Sequence, residues 1–156
     1  MKPVRTLVGV TAAASAALLF GSGAAHAAGG QVDGSITVAG STCSWTGATT
    51  SDVPPNALTI DHTTVSASCG GSISASLAND PGVTFDDSAG TATSPEIDVS
   101  ATVAGISCGY QVTDLTVTAA SGTRTYTGGP YTATKTSGSF LCPGSETVDS
   151  VTLTFH

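Results

Sequence analysis

Positive charge is almost missing from this chain. Its 156 residues include four Lys and Arg against eleven Asp and Glu. Two of the four, Lys2 and Arg5, stand at the very start, and without them the balance is two minus eleven, or −9. Nucleic-acid binding rests on many Lys and Arg contacts to phosphate, so this field excludes such a partner. Aromatics make up only 5%. Histidine is reduced to His62 and His156 beyond the first thirty residues. General acid–base chemistry therefore has few groups to draw on. No segment shows a helical stripe, and beyond the start no apolar run approaches the roughly 20 residues of a membrane span.

The start itself reads as an export signal. Lys2 and Arg5 precede an apolar run over residues 7–20, and Ala25-His26-Ala27 supplies the small-x-small pattern of a cleavage site. A cut after Ala27 leaves residues 28–156 as one secreted, extracellular domain, with no transmembrane anchor. Ser, Thr and Gly dominate it, so material for a heavy core is thin. Four cysteines in an exported chain of this kind point to disulfides.

What the chain has is an echo. "SITVAGSTCSW" at 35–45 returns as "SATVAGISCGY" at 100–110. Weaker echoes, "SASC" and "SFLC", end at Cys69 and Cys142. Self-similarity at a fixed offset reads as duplication, here of two β units over about 33–80 and 97–156. Four cysteines allow three pairings. Duplication favours one staple per copy, Cys43–Cys69 and Cys108–Cys142, although cross-copy pairings also respect a pseudo-twofold.

Strand evidence lies in alternation. Ile97, Val99, Ala101 and Val103 share one face, as do Val65, Ala67 and Cys69, then Ile73, Ala75 and Leu77, then Val151, Leu153 and Phe155. In both echoes the parity breaks after the Val of "VAG", where Gly40 and Gly105 would make a bulge or corner. The expected fold is all-β, a sandwich or squat barrel of about eight to ten strands built from two disulfide-stapled units. Residues 46–57 and 79–95 read as loops. The Ala-rich leader, low charge, Thr/Ser/Gly/Val-rich strands and four cysteines resemble small secreted β-rich proteins of actinobacteria. That resemblance is one of style, and no functional residue is carried over from it.

Candidate chemistry is sparse. "GISCG" at 105–109 matches the G-x-S-x-G nucleophile elbow as text, but its flanks read as strands rather than strand and helix. Neither Ser107 nor His62 is therefore assigned a catalytic role, and no cofactor is implied. Asp80, Asp86 and Asp87, with Glu96 and Asp98 nearby, are the only candidates for a calcium site, and they lack its loop spacing. Trp45 and Tyr110 each follow their cysteine by two residues and should pack beside its disulfide. A hairpin around Gly128-Gly129 would set Tyr126 across from Tyr131, with Arg124, Tyr126, Tyr131, Ala133 and Lys135 on one face and a row of Thr on the other. Arg124, Tyr126, Tyr131 and Lys135 then form a candidate ligand face for a glycan or cell-wall polymer. The leading expectation is a non-enzymatic protein acting by binding. The alternatives are an inhibitor or antimicrobial effector and, last, a small hydrolase.

Overall fold

The computed structural model describes residues 29–156, and the expected export signal with its expected cleavage point lies outside them. The strands are β1 (Gln31–Val38), β2 (Ser41–Thr49), β3 (Leu58–Thr59), β4 (Ser68–Cys69), β5 (Ile73–Leu77), β6 (Gly82–Asp86), β7 (Thr91–Val103), β8 (Ile106–Ala119), β9 (Thr125–Gly128), β10 (Tyr131–Gly138) and β11 (Ser145–Phe155). A single 3-10 turn spans His62–Thr64. The strands form one antiparallel sheet in the order β3-β6-β7-β8-β10-β11-β1-β2-β4, with β5 also on β7 and β9 between β8 and β11. The chain is all-β, as its alternation indicates, rolled into a squat barrel.

Eleven strands replace the expected eight to ten because two long paths are interrupted. β5 and β6 lie end to end along β7, opposite Val103 to Val99 and then Thr93 to Thr91. β9 and β10 lie end to end along β11, opposite Thr154 to Val151 and then Val148 to Ser145. The expected hairpin at Gly128-Gly129 is therefore absent. Both edges of this path are already filled by β8 and β11, so the chain runs straight on. Tyr126 and Tyr131 belong to one path and do not face each other. Residues 79–95 also prove mostly ordered: β6 and the start of β7 pair as a hairpin. The side chain of Asp86 holds its turn by accepting from Ser88 N, Ser88 Oγ and Ala89 N. Strand likewise continues to Thr49 within 46–57, whereas Val65 and Ala67 are not strand.

The echo is a pair of equivalent hairpins. Ala39 and Gly40 have φ of 49° and 76°, and Ala104 and Gly105 have 49° and 82°. Positive φ at both central residues marks the type I′ turn, whose twist suits a two-residue hairpin. Ile36 faces Cys43 in the first, and Ala101 faces Cys108 in the second. Across such a turn even positions oppose odd ones, which explains the parity break. The chain reverses there and does not turn a corner. Outside each tip a hydroxyl pair closes the hairpin, Thr37–Thr42 and Thr102–Ser107, both at 2.8 Å. The likeness is confined to the hairpins and their first cysteines. Cys43 is bonded to Cys69 directly opposite on β4, while Cys108 is bonded to Cys142 in the loop after β10.

The sheet closes on itself at one end only. There Thr50 bridges Ile60, Asp61 N donates to Thr49 O, Ser51 N to Thr59 O, and Ile60 N to Pro81 O on the far side. Phe85, Tyr126 and Phe155 fill this end with tilted and edge-on ring contacts at 5.2–5.8 Å. Val32 and Val117 beside them are essentially inaccessible, each such side chain contributing about 1.5–3 kcal/mol by burial. At the opposite end no ladder joins β4 to β5, and residues 70–72 cross between the walls.

Between the two ends runs a belt of irregularities. Inward positions step by three instead of two from Trp45 to Ala48, Ser94 to Ile97, Val112 to Leu115 and Val148 to Val151. The pairing skips Pro95 and Asp114 between β7 and β8, and Asp149 between β1 and β11. An extra residue shifts the register between β1 and β11, and β1 and β2 shift between Val32 and Gly34. β7 and β8 keep their register across the unpaired Pro95 and Asp114. On β2, β7, β8 and β11 alike the inward face is offset by one residue. Outside, a row of hydroxyls passes from strand to strand through Thr91, Thr118, Thr127, Thr152, Ser35, Ser44 and Ser68. The bridges close loops with sequence separations of 26 and 34 residues, worth about 3.5–4 kcal/mol each on loop entropy. Reduction should lower the urea midpoint accordingly. Hydrogen exchange should rise first in β4 and β5, while β1 and β11 at the closed end stay protected.

Candidate functional site: an apolar mouth

The open end encloses a cavity of about 520 Å³. Both hairpin tips form its rim, since Val38, Ala39, Val103 and Ala104 all line it. Its walls are the inward faces below the belt, including Ile36 on β1, Ala75 on β5, Val99 and Ala101 on β7, Cys108 on β8 and Val148 on β11. The residue types explain the space. Aromatic rings and leucines fill the closed end, whereas Ala75, Ala101, Ala104 and Ala133 here leave the volume unfilled. Ile36, Ala75, Val99, Val112 and Val148 also line a smaller inner cavity of about 90 Å³. The floor of the mouth is thus the roof of an apolar recess.

Both disulfides belong to this end, with Cys43 and Cys108 in the cavity wall. The Cys108–Cys142 bridge ties down the loop after β10, whose Phe140 and Leu141 are 91% and 60% exposed. Leu141 and the 49%-exposed Val103 continue the apolar lining out to solvent. Few polar side chains interrupt it. Tyr110 donates its hydroxyl to Pro143 O at 3.3 Å. Burial, and then the charge of Glu146, push this phenol above its ordinary pKa. Glu146 faces inward on β11, two positions from the buried Val148, and lines the cavity.

The chain matches no family model, no curated protein and no solved structure.

The residues singled out in the sequence are placed differently. Tyr126 is 5% exposed and packs on Phe85 and Phe155, so it offers no platform. The Tyr131 hydroxyl donates to Thr116 O, and Arg124 Nη1 donates to Pro54 O. Lys135 Nζ lies 2.7 Å from Ser139 O and 3.5 Å from Cys142 O. The expected aromatic and cationic face is thus dispersed along one strand path, with both bases spent on backbone carbonyls. Alternation alone could not reveal this, because it does not say which strands flank a segment. Trp45 lies over Gly34, where a Cβ would overlap the indole, and Tyr110 is buried. Both aromatics belong to the interior, as their spacing from the cysteines suggests. Ser107 bonds to Thr102 in a hairpin, not at a strand-to-helix elbow.

The acidic candidates are also separated. Asp86 serves its turn, while Asp80 Oδ1 accepts from His62 N at 2.9 Å and lies 2.6 Å from His62 Nδ1. Asp61 joins them, with one ligand atom from each residue lying within 4.8 Å of the others. Its Oδ1 accepts from Thr63 N and Oγ1, which caps the 3-10 turn beside the closure. This trio fastens the closed end. Hydrogen bonding lowers three carboxyls: Asp80 chiefly through His62 N, Asp33 chiefly through Gly47 N, and Asp86 chiefly through the Ser88 side chain. A carboxyl whose folded pKa is depressed stabilises the fold above its unfolded value and loses that contribution as pH falls through the folded one. The melting temperature should therefore hold above about pH 4 and fall steadily below it. Asp80→Asn should flatten part of that decline in a pH series of thermal melts.

Proposed function

We propose that the protein is a secreted, non-enzymatic binding protein that takes an apolar small molecule into its mouth. The observation that carries this reading is the cavity of about 520 Å³, walled by Val, Ile and Ala and open to solvent. Small-molecule sites are concave, mainly apolar and of roughly 300–1,000 Å³, with a few polar groups to orient the ligand. Apolar surface left facing water is unfavourable by roughly 25 cal/mol per Å², and an occupant recovers that energy. Two disulfides and no free cysteine among the described residues suit an oxidising, extracellular setting.

The hairpin tips support the same reading. Type I′ turns favour Asn or Gly at the first central position, yet Ala39 and Ala104 stand there with φ of 49°. A left-handed alanine is disfavoured by about 1–2 kcal/mol. Both alanines line the mouth, where asparagine would bring a polar amide to an apolar rim. Stability is given up at two places, and both are where a ligand would pass.

A neutral environment-sensitive dye such as Nile red should bind and brighten. Ala101→Trp, which fills the mouth from β7, should weaken that binding at least about tenfold, the scale of losing a well-packed apolar contact, with the fold intact by circular dichroism. A folded Ala101→Trp protein that binds the dye as well as the parent would refute the mouth as the site. Paired Ala39→Asn and Ala104→Asn changes should raise stability by roughly 1 kcal/mol per turn while weakening the dye.

A further inference from the structure

Resting on the mouth as a binding site, we propose that its ligand is a cationic amphiphile: a hydrocarbon body carrying a protonated amine that meets Glu146. Glu146 is the one acidic side chain lining the cavity among the described residues. It stands at an inward position of β11, opposite Ala133 on β10 and two residues from Val148. Its carboxylate has no hydrogen-bond or ion-pair partner among the described residues. Glu146 is only partly buried, so water reaches its carboxylate in the empty mouth. An occupant of the mouth displaces that water, and a cationic head replaces it by charge-assisted hydrogen bonding.

The bases nearby do not supply that partner. Lys135, on the neighbouring strand, turns its ammonium to Ser139 O and Cys142 O. Arg124 is held at Pro54 O near the closed end. Tyr110, the other ionisable side chain of the lining, donates a hydrogen bond to Pro143 O and stays neutral at ordinary pH. An anionic head group would thus meet Glu146 with no cation to receive it. The wider field has the same sign, since the described residues carry the two bases and all eleven acids. Neutral hydrocarbon would fill the cavity, but it would leave the carboxylate as it is. The polar contact thus selects among apolar ligands by the charge of their heads.

The test uses three ligands of one chain length: decylamine, decanol and decanoate. Each is titrated at neutral pH and low salt against protein carrying the neutral dye. Decylamine should displace the dye at least about tenfold better than decanol, on the scale of one charge-assisted hydrogen bond, and decanoate should be weakest. Glu146→Gln should bring decylamine to within about twofold of decanol and leave decanol unchanged. Equal displacement by decylamine and decanol in the parent overturns the head-group assignment and leaves the mouth in place, as does an amine preference that survives Glu146→Gln. If none of the three displaces the dye, or Ala101→Trp still binds it, the mouth itself is wrong.

Discussion

At the closed end, Ile60 gives its N–H to Pro81 O while its neighbours pair with Thr49 and Ser51, and this short ladder turns an open sheet into a barrel. Hydrogen bonding does not repeat the operation at the other end. β4 and β5 stay unpaired to one another, and the sulfur bridges do not span that gap: one reinforces the pairing of β4 with β2, the other fixes the loop after β10 to β8. A barrel closed all round by backbone pairing would draw its walls together and pack its interior. One closed by pairing at one end only, with covalent staples strengthening its walls at the other, can keep an unfilled interior without coming apart. The cavity depends on that unequal closure.

The mid-height belt makes the two ends chemically distinct. Below it the inward residues are mostly Ala, Val and Ile, with Tyr110 and Glu146 among them; above it they include Phe85, Leu115, Tyr126, Leu153 and Phe155. Rings packed at 5.2–5.8 Å make the upper half a conventional core. The lower half uses side chains too short to meet across the same width. The outward row of Thr and Ser, with apolar faces inside, is the reverse of the polarity a barrel needs in lipid.

Much of this architecture was legible in the sequence. Period-two runs such as Ile97 to Val103 marked strands, and the echo paired each hairpin with its own cysteine. The turns themselves were harder to read, because Ala-Gly is not the Asn-Gly signal that announces a type I′ reversal. Gly128-Gly129-Pro130 misled for the opposite reason. It has the composition of a turn, but neighbours on both sides hold it straight. The mouth left no local sign at all. An inward-facing Val or Ala reads as core whether or not another side chain meets it, and that depends on residues far away in the chain. Glu146 in "SETVDS" shares the face of Val148 two residues on, but nothing in that alternation tells that the face lines a cavity.

The belt also bears on how such a chain can change. Because the inward face of β2, β7, β8 and β11 is offset between the two ends, a substitution at the open end need not be accommodated by the rings that secure the other. The barrel resembles a vessel whose base and neck were cut to separate patterns. Under the proposed function, exchanging Ala75, Ala101 or Glu146 for other residues alters what the neck admits, while the base continues to supply the fold. On that reading, a scaffold with this division of labour can change its ligand by a few substitutions at one end, without a search for compensating changes at the other.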